Sequence, residues 1–455
     1  MAVLGFYGGV GSVTGANFLL DTGEAAFLVD CGLIQGDRFA QEANADPFVY
    51  NPADIDVLMV THAHADHIGR IGKLIKDGFT GTIYSTHPTK DLANVMLRDA
   101  LKVMRFEEER YGTEILYEES HIDEALRHWK TVGYDTPIEL PDGVTGTFTD
   151  AGHILGSAMV HFERDGKKIV FTGDIGNVPQ PLLNPPVPPT NYQYLVMESV
   201  YGDRAHEEVK ERTDLLRFYI EDTIKKGGTL LIPAFSLERT QGMLYEINNL
   251  VEEAGMAAVP VFLDSPLAIS VTGIYKEHQE YLKDSVRKEI EAGDDIFHFP
   301  KLEFTRTRKD SAEIHQETGP KIIIAGSGMS HGGRIREHEK RYLEDPNSTL
   351  LLVGYQAVGS VGRLLHDGAK KVTIDDKEVK VKARVARIRG YSGHADRDQL
   401  VDIVAAGADD AKKIKQVFVT MGEERSSLFL VQRLRDYLGV KAVAPEQDQE
   451  VEIDF

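Results

Sequence analysis

Hydrophobic positions in the first two hundred residues come in short, β-branched runs: AAFLVD (25–30), DVLMVTH (56–62), GTIYST (81–86), KKIVFTGD (167–174) and YQYLVME (192–198). Runs of this length, set off by Gly and Asp turns, predict strands. Each closes on a polar residue, most often His, Asp or Glu, which suits a layered α/β sandwich whose strand ends and loops carry chemistry. A stretch rich in Glu, Arg and Leu, from about 89 to 130, predicts helix between the strands. The proline-rich PQPLLNPPVPPT (179–190) fits neither a helix interior nor a central strand and predicts a surface connection. Beyond it the texture changes. TLLIPAF (229–235), VPVFLDS (259–265), KIIIAGS (321–327) and STLLLVGY (348–355) have unbroken apolar centres and alternate with helical segments, a βαβ rhythm that implies a second, mostly parallel sheet. The predicted division is therefore 1–204, an inserted domain over 205–376, and a return over 377–455 that carries GYSGHADRDQL (390–400) and QVFVTMGEERSS (416–427).

Composition adds bounds. The 455 residues, 42% hydrophobic and 27% charged, suffice for two or three cores. Cys31 is the single cysteine, which rules out an intramolecular disulfide framework, fits a reducing cytosol and predicts a small buried side chain. The opening segment lacks a basic n-region and no run approaches the ~18 apolar residues of a membrane span, so a soluble, cytoplasmic protein without membrane attachment is expected. A net charge of −21 looks wrong for a nucleic-acid partner, but binding is local. KEVKVKARVARIR (377–389) carries six Lys or Arg against one Glu, whereas the tail EQDQEVEIDF (446–455) holds five acids and reads as a solvated surface.

THAHADHIG (61–69) is the strongest local signal. In an extended segment side chains two apart share a face, so His62 and His64 can converge on one metal ion. Asp66 and His67, at the turn into a helix, can address a second. Imidazole and carboxylate together suit zinc or a similar borderline ion. Two other strand ends offer further ligands: His153 in TDAGHILGSA, and Asp174 at the end of KKIVFTGD, a carboxylate able to bridge two ions.

THAHADH, the later GH (152–153) and TGD (172–174), with Asp30 in LVDCG, resemble the metallo-β-lactamase superfamily. The resemblance implies an αββα sandwich with two metal ions at the strand ends. His62, His64 and His153 would bind the first ion, Asp66 and His67 the second and Asp174 both, with Asp30 orienting a ligand histidine. VMESVYGDRAH (196–206), PAFSLERTQ (233–241), VFLDSPLA (261–268), SGMSHGGR (327–334), GYQAVGSVGRLL (354–365) and GYSGHADRDQL follow in the order seen in β-CASP nucleases, such as the cleavage-and-polyadenylation endonuclease and the ribonuclease J group. The inserted segment is then a β-CASP domain on its mostly parallel sheet. The function implied is a zinc-dependent ribonuclease, endonucleolytic with exonuclease action left open. It would hydrolyse single-stranded RNA by metal-activated hydroxide, with two Zn²⁺, or Mn²⁺ in their place, about 3.5–4 Å apart.

Glu198 and His394 fall on the family's two insert-associated positions. An imidazolium supported by a carboxylate can protonate a leaving oxygen, although His394 could equally begin a helix capped by Asp396. The glycine-rich stretches could cradle phosphates, with Ser327, Arg334 and Arg363 as candidate substrate contacts, or simply allow tight turns. Tyr355 and Lys382 are further candidates for single-strand contact. One departure stands out: where the RNA nucleases carry a histidine before Gly-Glu, this chain has Met421. A thioether is a poor zinc ligand, so a second site weaker than the first is expected, and a feeble or non-catalytic RNA-binding homologue is the alternative. Monomer and homodimer are both open.

Overall fold

The computed structural model describes residues 1–455 except 37, 207, 208, 253, 355, 357, 358, 389 and 408–412; the side chains of 38, 39, 41 and 209–211 are likewise not described. Tyr355 thus lies outside the described residues. The described chain divides into two compact units, Met1–Ala205 with His394–Phe455, and His206–Gly393.

The first unit is built on two sheets. One runs in the order Gln449–Ile453, Ala2–Gly8, Asn17–Asp21, Ala26–Val29, Val57–Met59, Thr82–Ser85 and Trp129–Thr131. The other runs Ala442–Val443, Gln416–Val419, Tyr194–Met197, Lys167–Phe171, Ala158–Arg164, Thr145–Asp150 and Ile138–Glu139. Because alternate side chains leave opposite faces of a strand, each sheet presents one apolar face to the other. Phe27 meets Phe162 at 5.4 Å between ring centroids, Phe18 meets Phe171 at 6.1 Å and Phe6 meets Phe418 at 5.1 Å. Helices cover the outer faces. Arg397–Gly407 and Glu424–Leu438 bury Leu400, Val404, Leu430 and Leu434 against Val170, Leu195 and Val417. His87–Tyr111 and Glu119–His128, the pair into which the predicted helical stretch divides, lie on the strands Trp129–Thr131 and Thr82–Ser85. The layering is αββα.

The acidic tail is a strand rather than a solvated end. Gln449–Ile453 pairs antiparallel with Ala2–Gly8, placing Ile453 opposite Ala2. Ile453 is buried while Glu450 and Glu452 are exposed, so the acids form the solvent side of an edge strand. Asp454 ion-pairs with Lys167 and, at 2.5 Å, with Lys415.

In the second unit the strands Leu302–Phe304, Val261–Asp264, Lys321–Ala325, Thr229–Pro233, Thr349–Leu352 and Arg384–Arg387 lie side by side in that order, all parallel. Residues 377–393, expected in the C-terminal return, belong to this unit. The segment pairs in parallel, as an edge strand, with Thr349–Leu352, and Ala383 and Ala386 are buried while Lys382, Arg384 and Arg387 stay exposed. Among the described residues no helix is long and apolar enough to cross a membrane.

Candidate metal centre

The strand Val57–Met59 runs out into Thr61-His62-Ala63-His64, and the short helix Ala65–Ile68 begins directly after it with His64 as N-cap. Extended backbone before the helix sends His62 and His64 the same way: His62 Nε2 lies 3.1 Å from His64 Nδ1. The turn then carries Asp66 and His67 round to a neighbouring position, with His67 Nε2 4.0 Å from Asp66 Oδ2. The helix is tied down from the adjacent loop, Cys31 N–H donating to His67 O at 2.8 Å and Leu33 N–H to Ala65 O at 2.9 Å. Cys31 itself is fully buried, and that burial pushes its thiol up to about 12.

His153 comes from the loop after Thr145–Asp150, its N–H donated to Ser157 Oγ at 2.9 Å. This loop packs so closely on Asp174-Ile175-Gly176 that a Cβ on Gly176 would lie 1.8 Å from Gly152 O. His153 Nε2 consequently reaches His64 Nδ1 at 3.2 Å and Asp174 Oδ2 at 3.5 Å, and His62 Nε2 is 3.4 Å from the same oxygen. Asp174 Oδ1 faces His67 Nε2 at 3.3 Å. One carboxylate therefore stands between two sets of imidazoles. Beside it Glu198, at the end of Tyr194–Met197, accepts the Ile175 N–H at 2.6 Å and meets His394 Nδ1 at 3.2 Å. His394 is held by a bridge to Gly176, and Asp396 caps the following helix by accepting the N–H groups of Asp398 and Gln399 at 3.0 Å. The cap and the Glu198 contact coexist.

Donor spacing and chemistry fit a divalent ion. Separations of 3.1–3.5 Å among His62, His64, His153 and Asp174 are close to the edge, about 3.3 Å, of a tetrahedron with ~2.0–2.1 Å metal bonds. His67 Nε2 and Asp174 Oδ1 are buried yet make no hydrogen bond among the described residues. An unsatisfied buried polar atom costs roughly 1–3 kcal/mol, and a cation between them removes that cost. Burial, then the neighbouring His67, holds His62 well below the usual histidine range; burial, then His153, does the same for His64. Both are therefore neutral, as ligands must be. Burial depresses His394 too, but Glu198 and Asp174 reverse it and carry the imidazole up to about 9. Burial raises Asp66 to about 6 against the pull of His67.

The candidate substrate contacts fare differently. Arg334 donates to Asp264 Oδ1 at 2.6 Å, Thr305 O at 2.9 Å and Arg306 O at 2.9 Å. Its guanidinium ties strand ends together inside the second unit. Ser327 Oγ accepts the N–H groups of His331 and Gly332 within its own loop, so that glycine-rich stretch works as a turn. Arg363 is partly exposed and pairs with Asp367 at 2.8 Å. Met421 is 2% exposed, its N–H bonded to Gly9 O at 2.6 Å. A Cβ on Gly9 would lie 2.3 Å from the Met421 sulfur. The thioether lines a cavity of about 10 Å³ with Asp30, His67 and Phe171.

Sequence reasoning passed over Thr61. Its hydroxyl donates to Asp30 Oδ2 at 2.7 Å and lies 3.0 Å from His62 Nδ1; its place at the head of THAHADH is the only signal that marks it.

A two-sheet sandwich with histidines and carboxylates gathered at its strand ends defines a metal-dependent hydrolase of the metallo-β-lactamase type. Family models match accordingly: the metallo-beta-lactamase superfamily over 11–217, the Beta-Casp domain over 240–365 and the Zn-dependent metallo-hydrolase RNA specificity domain over 378–445. Ribonuclease TTHA0252 of Thermus thermophilus is 36% identical over 396 residues, 87% of this chain and 89% of that protein. Transcription termination factor FttA of Methanosarcina mazei is 32% identical over 96% of this chain and 69% of its own. An RNase J-like protein of Methanocaldococcus jannaschii is 31% identical over 98% of both. A crystal structure from Enterococcus faecalis shares the fold, with a TM-score of 0.57 and 12% identity over 99% of each chain. The chain belongs to the metallo-β-lactamase superfamily and, within it, to the β-CASP family of metal-dependent RNA nucleases.

Proposed function

We propose that this chain is a ribonuclease hydrolysing phosphodiesters of single-stranded RNA in a reducing cytosol, with Zn²⁺ or Mn²⁺ as its metal. His62, His64, His153 and Asp174 would hold one ion, and Asp66, His67 and Asp174 a second. The observation that carries this reading is the convergence of three imidazole nitrogens and Asp174 Oδ2 within 3.1–3.5 Å of their neighbours, beside the two orphaned atoms of His67 and Asp174. Divalent ions bound there supply Lewis acidity, which lowers the pKa of water and offsets charge on a phosphate.

The protein's own groups do the rest. Asp30 and Thr61 orient the histidines. Glu198 is fixed by the Ile175 N–H and keeps His394 protonated at neutral pH, so the Nε2 edge, on the far side of the ring, can deliver a proton to the leaving oxygen. Exposed Lys377, Lys380, Lys382, Arg384 and Arg387 offer a basic edge for a phosphate backbone. The test is cleavage of a labelled single-stranded RNA with added Zn²⁺ or Mn²⁺, with Asp66→Ala as control and DNA of the same sequence as competitor substrate. RNA cleavage that vanishes in the variant is expected. RNA binding without cleavage in the wild type favours the second reading, a non-catalytic homologue, for which Met421 is the supporting observation.

A further inference from the structure

Asp30 is fully buried and accepts three hydrogen bonds: the Thr61 N–H on Oδ1 at 2.8 Å, and on Oδ2 the Thr61 hydroxyl and His67 Nδ1, each at 2.7 Å. A carboxylate has no proton to give, so His67 donates from Nδ1. A hydroxyl has a single proton, and Thr61 directs it to Asp30. That hydroxyl's other two contacts are His62 Nδ1 at 3.0 Å and His67 Nδ1 at 3.4 Å; the His67 proton is committed to Asp30 at 2.7 Å, so the shorter contact is a bond in which Thr61 accepts and His62 donates. Both imidazoles carry a proton on Nδ1 and turn Nε2 toward Asp174, at 3.4 Å from Oδ2 for His62 and 3.3 Å from Oδ1 for His67, which leaves Nε2 as the atom that would meet a cation. Thr61 is 1% exposed, and Gly173 packs so closely on it that a Cβ there would lie 2.7 Å from Thr61 Cβ and 2.8 Å from its hydroxyl oxygen. Its hydroxyl has little freedom to leave this arrangement.

We infer that Thr61 is a positioning residue that links the two metal positions. Through its hydroxyl a single buried carboxylate, Asp30, sets the tautomer and ring plane of His62 in one position and, directly, of His67 in the other. The inference rests on the ligand assignment proposed above. Outer hydrogen-bond partners of this kind are worth about ten- to a hundredfold in metal affinity. Thr61→Val preserves shape but removes the acceptor for His62 Nδ1–H, so the ion held by His62, His64 and His153 should bind about ten- to a hundredfold more weakly. The second ion should lose less, because the His67–Asp30 bond survives. Thr61→Ser keeps the hydroxyl and should restore wild-type affinity.

The measurement is Co²⁺ and Zn²⁺ affinity by chelator competition, on full-length wild type and both variants, with circular dichroism to show that the metal-free chains are equally folded. Equal affinity in wild type and Thr61→Val overturns the inference, as does a Thr61→Ser variant as weak as Thr61→Val. Wild type that binds neither ion overturns the ligand assignment itself and the inference with it. Should Thr61→Val fail to fold, nitrogen NMR of zinc-loaded wild type with labelled histidine decides. Protons on Nδ1 of both His62 and His67 are expected, and a proton on Nε2 of His62 refutes the role.

Discussion

Replacing Glu198 by Gln isolates what that carboxylate does for its neighbour. Gln keeps the length of the side chain and an oxygen for the Ile175 N–H now bonded at 2.6 Å, but removes the charge 3.2 Å from His394 Nδ1. Burial by itself pushes His394 below its ordinary 6.5, and Glu198 is the largest of the groups that carry it up to about 9. Without that charge the imidazole should fall toward its ordinary 6.5, a loss of up to about 2.5 pH units, or ~3.4 kcal/mol of preference for the protonated form. At pH 7.5 the protonated fraction drops from about 97% to as little as roughly 9%, up to a tenfold loss of the acid form. A general acid works protonated, so activity falls as pH rises through its pKa; the substitution should move that fall from the region of pH 9 down toward pH 7. Cations at Asp174 cancel part of that aspartate's own contribution, so comparing both enzymes with identical metal loading leaves Glu198 as the difference. The assay is kcat/KM for a short RNA between pH 5.5 and 10, with metal content measured alongside. A basic limb unmoved in Glu198→Gln refutes the proton-delivery role. Loss of metal in the variant refutes it differently, by making Glu198 a ligand.

Met421→His should tighten binding of the second ion in a metal titration and speed RNA cleavage; unchanged affinity means that this loop does not reach the metals. Glu339 is fully buried in the second unit, accepts the Ser330 hydroxyl at 2.5 Å, and is raised by that burial to about 7. A raised carboxyl keeps its proton in the folded state between about pH 4.5 and 7 while the unfolded chain loses its own. Stability therefore falls across that window, by about 3 kcal/mol, and Glu339→Gln should gain roughly that much at pH 8 and little at pH 4.5 in urea unfolding. Charge reversal of Lys377, Lys380 and Lys382 should weaken RNA binding and flatten its dependence on salt, by up to about one unit of log–log slope for each phosphate no longer neutralised; an unchanged slope removes the basic edge from the RNA path.

Much of this architecture is legible along the chain because its signals are local. Apolar runs that stop abruptly on His, Asp or Glu mark strand ends, and THAHADH compresses four side chains of metal-ligand type into one turn. The parts that escape depend on partners far away in sequence. Glycines at 5 and 8 make the opening look interrupted, yet Ala2–Gly8 is a strand paired on one side with Asn17–Asp21 and on the other with Gln449–Ile453. Acid content disguises that last strand, since Glu450 and Glu452 occupy only its outer face. Arg334 looks like a phosphate ligand because a glycine-rich turn precedes it; only the fold brings the buried Asp264 within 2.6 Å of its guanidinium. Thr61 has no periodicity to reveal it, because a hydroxyl acquires meaning from the two groups it joins.

The division of the first unit around the second also orders events during synthesis. His206–Gly393 is contiguous and, with its parallel sheet complete by Arg387, can fold while the ribosome is still at work. The flanking unit has no such freedom: Glu198 waits 196 positions for His394, and the strand Ala2–Gly8 waits for Gln449–Ile453. Contacts of such long separation form late. The nascent chain thus passes the ribosome with Glu198 and His394 still apart, and the first unit's outer sheet is complete only after the residues around 453 have emerged.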